Sequence, residues 1–399
     1  MINVLDLFAG CGGLTEGFKQ VPSYNLIAAV EWEKSPADTL VQRLSSKWGY
    51  KDASDRVLHF DIQRIDELFN GFSNDPKYGS SIGLTNLINN EKVNLIIGGP
   101  PCQAYSVAGR IRCDNGMQDD YRNYLFESYL RVVERLQPDA CIFENVPGML
   151  SAKPGGEPIV DRVIKAFNNR GYEINTNLKA AIFDTSHFGV PQKRKRVIIA
   201  AFRRKSFPNA TRKVEGFYNT LAAYSTPSHK TVAEALKGLP AIIPLSSPSK
   251  SISHKLEPTA KTFLNHNPRF HNQRDIEIFK ILAEDIETAT FRYASSEALK
   301  KLYTEKTGKN SSVHKYYVLR KNQPSNTIPA HLYKDGLRHI HPDPKQARSI
   351  TVREAARLQS FPDDFKFTGS MGANYKMIGN AVPPAFAKLI AQSLKEVLC

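Results

Sequence analysis

The chain has 399 residues, 41% of them hydrophobic, with a formal net charge of +15 and a pI of about 9.4. That length gives two domains and a substantial core, and no apolar run approaches a membrane span, so a helical membrane protein and a disordered chain are both set aside. The excess charge calls for a polyanionic partner, because nine basic residues and no acidic one fall between Gln192 and Lys213.

In chain order, strands are expected at 3–8, 26–31, 93–97, 140–144 and 197–202. Helices are expected at 14–20, 35–44, 124–136 and 160–169. This alternation predicts an α/β fold with a mainly parallel sheet and helices on both faces. Residues 76–90, rich in Gly, Ser and Asn, read as an inserted loop. From 205 to 350 the periodicity is poor and prolines recur, which predicts a smaller, irregular domain with one helix at 275–286. His254, His266, His271 and His331 read there as polar surface or as residues facing nucleic acid. Thr351 and Glu354 have the spacing of a capping box before a helix at 352–361. Pro383 and Pro384 suit the first turn of a last helix. The expected division is 1–204, 205–374 and 375–399.

The start MINVLDLFAG lacks the basic and apolar regions of a secretion signal. Cys11, Cys102, Cys113, Cys141 and Cys399 have neither zinc spacing nor a disulfide framework. A reducing, cytoplasmic location without metal is the expectation.

Chemistry concentrates at the expected strand ends. GGPPCQ at 98–103 puts Cys102 just past a strand on a loop stiffened by two prolines, as a candidate nucleophile. Gly10, Gly12 and Gly13 join the first strand to the first helix and let a ligand approach the backbone. Glu31 ends the next strand, where an acid binds ribose hydroxyls. The full GxGxxG pattern is absent, which favours S-adenosylmethionine over a dinucleotide. Trp32 either covers an adenine face or packs beside the sheet. Asp61 either accepts from an adenine amine or caps a helix.

Seven stretches in order now resemble the cytosine-5 DNA methyltransferases of bacterial restriction–modification systems. They are DLFAGCGG (6–13), EW (31–32), GGPPCQAYS (98–106), ENVPGML (144–150), QKRKR (192–196), TVREAARLQSFP (351–362) and GNAVPP (379–384). The resemblance implies a Rossmann-like methyltransferase fold with a target-recognition domain. It implies that Cys102 is the nucleophile, that Glu144 contacts N3 and the exocyclic amine of cytosine, and that Arg196 lies near the pyrimidine oxygen with Arg194 in support. For S-adenosylmethionine and its product S-adenosylhomocysteine, it implies contacts from Phe8, Gly10, Cys11, Gly12, Gly13, Glu31, Trp32, Asp61, Ile62, Pro100, Asn380 and Val382, the last pair implying that the helix of 375–399 returns to complete the first domain. Gln103, Ser106 and Arg110 are expected to touch DNA from a loop that closes over it. Double-stranded DNA is the expected partner of a monomer, with a cognate endonuclease acting on the same site. A tRNA cytosine-5 methyltransferase and a non-catalytic DNA-binding homologue are the alternatives. The long recognition region disfavours the first, and the intact Cys102, Glu144 and Arg196 disfavour the second.

Overall fold

The computed structural model describes residues 1–101, 125–153, 156–247, 249–257, 262–310, 316–334 and 336–398. They divide into two units: 1–188 with 194–227 and 381–399, and 189–193 with 228–380. The first unit is thus discontinuous along the chain.

The first unit is built on a mixed sheet. Its strands are β1 (Ile2–Leu7), β2 (Tyr24–Glu31), β3 (Val57–His59), β6 (Leu95–Gly98), β7 (Ala140–Asn145), β8 (Tyr172–Ile174), β9 (Ile182–Asp184) and β10 (Lys195–Arg203), while β4 (Phe72–Asp75) and β5 (Gly79–Ser81) form a separate hairpin. The order is β3-β2-β1-β6-β7-β10-β8, with β9 beside β10. The five strands from β3 to β7 pair in parallel. Strand β10 runs antiparallel to β7, β8 and β9. Central strands β6 and β7 are buried along their whole length, which explains the apolar runs Leu95–Ile97 and Ala140–Phe143; Glu144 and Asn145 at the end of β7 are buried polar residues.

Strand order reverses between β1 and β6, so the crevice for a ligand opens at their carboxyl ends. Because β2, β1, β6 and β7 are parallel, Glu31, the turn after Leu7, the segment after Gly98, and Glu144 all reach one edge of the sheet. The antiparallel β10 brings its amino end, with Arg196, to that same edge.

The larger core gathers Leu5, Leu7, Ile96, Phe143 and Ile199 with Tyr129 and Val133 of helix Leu125–Leu136 and Val163 and Phe167 of helix Ile159–Asn169. A second cluster sets Leu26, Ala29 and Val57 against Ala37, Leu40 and Leu44 of helix Lys34–Trp48. Between them, helix Gly13–Lys19 lies against the last helix, Pro384–Leu398. The approach is close. A Cβ on Gly13 would come 2.4 Å from the Val382 carbonyl oxygen, and one on Gly17 would come 2.4 Å from the Ala387 Cβ. The Tyr24 hydroxyl donates to the Ala391 carbonyl at 2.7 Å, and the Lys213 ammonium donates to that of Val397.

Two sequence expectations are corrected in this unit. The segment 76–90 is no loop, since it holds the end of the β4–β5 hairpin and the helix Gly83–Ile88. The unit continues past Arg204 to Pro227, because helix Ala210–Ala223 buries Val214, Phe217 and Leu221 in it.

In the second unit, helices Gln273–Glu287 and Ser296–Thr307 pack Ile276, Phe279, Leu282, Leu299 and Leu302 with Val318 and Ile340. A two-stranded ribbon, β11 (Ile242–Pro244) and β12 (His254–Leu256), adds to it. The capping box forms: Thr351 Oγ1 accepts from the Glu354 amide at 3.2 Å, and Glu354 Oε2 accepts from the Thr351 amide at 2.7 Å. The helix it starts ends at Leu358. Helix Met371–Asn380 closes the unit, so this stretch does not join the last helix as expected from residue 375.

Three of the four histidines are interior, correcting the surface assignment, while His331 is exposed. His254 Nε2 meets the Gln346 carbonyl at 3.1 Å, His266 lies between Thr351 Oγ1 and the Pro240 carbonyl at 3.0 Å each, and His271 Nε2 accepts from the Ser349 amide at 3.2 Å. Burial pushes His254 down to about 4 and His271 to about 3.

Candidate functional site

The turn leaving β1 is strained. Phe8 has φ +58°, a left-handed backbone that bulky side chains rarely adopt, and such residues persist where the surroundings hold them. Gly10 follows with open space where a Cβ would be, and Gly12, also left-handed, precedes helix Gly13–Lys19. The Cys11 side chain is buried, and burial pushes its thiol well above the usual range, so only its backbone is available to a ligand. Gly13 faces Val382 rather than open space, which gives its missing side chain a packing reason.

Glu31 closes onto this turn. Its Oε2 accepts from the Gly10 amide at 2.8 Å and its Oε1 from the Glu33 amide at 2.7 Å. Burial pushes its carboxyl up to about 7 against these hydrogen bonds. Asp6, one strand away and missed by the sequence reading, is fully buried and pushed to about 7 by the same cause. The Thr15 hydroxyl donates to its Oδ2 at 2.5 Å, while Oδ1 has no hydrogen-bond partner. A ligand bringing hydroxyl or cationic groups fits an edge where two carboxylates are costly to ionise. Trp32 is 45% exposed, so of the two expected roles core packing is excluded. Ile62 is buried, and Asp61 neither caps a helix nor stands free, since its Oδ1 accepts from the Gln63 amide at 3.0 Å.

The second half of the edge holds the acid and the cation. Ile198 pairs with Glu144 across β10 and β7, so Arg196, two residues before Ile198, lies diagonally opposite Glu144 on the same face. Arg196 Nε approaches Glu144 Oε1 to 2.6 Å as a charge contact without hydrogen-bond alignment. Glu144 Oε2 lies over Gly99, where a Cβ would sit 2.7 Å from it. Gly99 leads to Pro100, which is buried, and to Pro101. Cys102, Gln103, Ser106 and Arg110 lie outside the described residues.

Arg194 stands apart from this pair. It is buried, and its Nη2 donates to the Ala381 carbonyl at 3.1 Å. It therefore fixes the segment that carries Val382, one residue from the carbonyl over Gly13. The adjacent Lys193 and Lys195 are exposed. Asn380 falls in the second unit and Val382 in the first. Among the described residues no group of three metal-ligating side chains converges, and no helix is long and apolar enough to cross a membrane.

Comparison with known proteins adds the following. The family model for C-5 cytosine-specific DNA methylases matches residues 2–396. The type II methyltransferase M.Bpa9945I of Bacillus paralicheniformis is 34% identical, with 99% of each chain covered. Among solved structures, a prophage-encoded E. coli protein provisionally assigned as a DNA modification methyltransferase superposes with a TM-score of 0.64 at 25% identity, covering 100% of this chain and 99% of that one. The S. pombe Dnmt2 methyltransferase, at 14% identity and a TM-score of 0.57 over 100% of this chain and 99% of its own, shares the fold.

Proposed function

The chain belongs to the C-5 cytosine-specific DNA methylase family, and from that premise we propose that it methylates carbon 5 of one cytosine within a short duplex sequence, using S-adenosylmethionine and a transient bond from Cys102 to carbon 6. The observation that carries this reading is the Glu144–Arg196 pair over Gly99, three residues before Cys102. When bound, S-adenosylmethionine supplies an electrophilic methyl group on a sulfonium sulfur. Glu31 and the Gly10 backbone would hold its ribose end, with Trp32, Asp61 and Ile62 at the adenine and Phe8 beneath it.

Carbon 5 of cytosine is a weak nucleophile. Addition of the Cys102 thiolate to carbon 6 breaks the 5,6 double bond and places its electrons on carbon 5. Glu144 engages N3 and the exocyclic amine, which draws charge out of the ring as sulfur adds. Arg196 keeps the carboxylate in place and supplies a cation at the same edge. After transfer, loss of the proton from carbon 5 restores the double bond and expels the thiolate. A stacked base cannot meet these groups, so the cytosine must leave the helix. The second unit, with its exposed loops, would read the flanking sequence.

Incubation with duplex DNA and tritium-labelled cofactor tests this reading, with label expected on carbon 5 of cytosine. Label on tRNA instead would replace DNA by tRNA as the substrate, and no label on either would remove the catalytic reading. Cys102→Ala is expected to abolish transfer while DNA binding, measured by gel shift, persists. Turnover by that variant would overturn the assignment of the nucleophile.

A further inference from the structure

We propose that Tyr78 is a positioning residue for Trp32, holding the indole in the orientation in which it meets the adenine ring of the cofactor. This rests on the reading of Trp32 given above. Trp32 follows the last residue of β2, and half of its surface is open. An unsupported indole there would lose binding energy to its own rotamer freedom. The support comes from the β4–β5 hairpin, which the sequence presents only as polar residues around Pro76.

Trp32 Nε1 donates to the Tyr78 hydroxyl at 2.9 Å. The Lys77 ammonium lies 4.8 Å from the centroids of both the Trp32 and Tyr78 rings. Tyr78 is itself fixed. Its ring meets those of His59 and Phe60 edge-on at 5.0 and 5.1 Å, and Phe60 stacks on Phe72 at 4.1 Å. Asp75 ties the tip, accepting from the Lys77 and Tyr78 amides at 2.9 Å each and from Arg64 at 2.6 Å. From the other side, His59 Nε2 bonds the Trp32 carbonyl at 3.1 Å. Backbone and side chain of Trp32 are thus both held. The hairpin tip is built to present Tyr78, and Tyr78 meets the one polar atom of an exposed indole.

Tyr78→Phe in the full chain removes the acceptor and keeps the ring against Phe60 and His59. The KM for S-adenosylmethionine and the Kd for S-adenosylhomocysteine, read by isothermal titration calorimetry so that the same measurement serves variants lacking Trp32, are expected to rise about three- to tenfold, the loss of one hydrogen bond. The kcat at saturating cofactor and the KM for DNA should stay within about twofold, and emission should shift to the red. Trp32→Phe is measured beside it. If Trp32→Phe leaves cofactor affinity unchanged, the reading of Trp32 fails and this proposal falls with it. If Trp32→Phe weakens binding but Tyr78→Phe behaves as the parent, the reading of Trp32 stands and the positioning role is overturned. A double variant no weaker than Trp32→Phe alone supports the proposal, and additive losses overturn it.

Discussion

Between Gly99 and the Glu144 carboxylate only a hydrogen fits. A Cβ at residue 99 would fall 2.7 Å from Oε2, the far end of a side chain that can swing aside. Gly99→Ala is therefore expected to leave folding intact and to move the carboxylate, lowering kcat by about 10- to 100-fold, since a displacement of about 1 Å at a reacting centre costs that much. An unchanged melting temperature with reduced turnover in a methyl-transfer assay is the expected pair of results; unchanged turnover would mean that Glu144 does not act from this position. At the residue scale Glu31 and the glycine turn were singled out by their places at strand ends, and Glu144 and Arg196 only through the family resemblance, because an acid and a cation on two antiparallel strands share no local pattern in the sequence. The packing reason for Gly13 and the link from Arg194 to Ala381 were not legible, because the first depends on Val382, 369 residues on, and the second on Ala381, 187 residues on.

At the scale of elements, the contact between helix Gly13–Lys19 and helix Pro384–Leu398 holds the discontinuous unit together. Gly17→Ala would set a methyl 2.4 Å from the Ala387 Cβ and 2.6 Å from the Lys388 amide, so the helices must part. A loss of about 1–3 kcal/mol is expected, read as a lower denaturant midpoint. In the other unit, Thr351→Ala removes both the cap and the partner of His266, and about 1–2 kcal/mol should be lost in the same measurement. The central strands and amphipathic helices were readable because their apolar patterns are strong. The β4–β5 hairpin was not, because its residues are polar and its order comes from Asp75 and the aromatic stack. Helix Met371–Asn380 escaped notice too, since two glycines and a weak stripe leave its burial to tertiary contacts. The interior histidines read as surface for a related reason: a polar side chain can be buried wherever carbonyls and hydroxyls meet both of its nitrogens.

Over the whole molecule the two units respond to acid in opposite directions. Asp6 and Glu31, raised to about 7, contribute stability that is fully present below about pH 4 and is lost as the pH rises through 7. His254, His271 and His341, held at about 4, 3 and 4, contribute stability that is present above about pH 6.5 and is lost as the pH falls toward 4. Between pH 7 and 5 the second unit should therefore loosen while the first tightens. Amide hydrogen exchange followed segment by segment at the two pH values checks this, and parallel changes in both units would contradict it. The discontinuity of the first unit reaches further still, into how the protein is made. Helix Gly13–Lys19 is translated well before the segment that covers it, since Val382 over Gly13 and the helix over Gly17 follow only after residues 189–380. At the usual pace of synthesis that wait is on the order of ten to forty seconds. Through it the nascent chain carries its glycine turn and its acid–cation pair with the helix seat still bare.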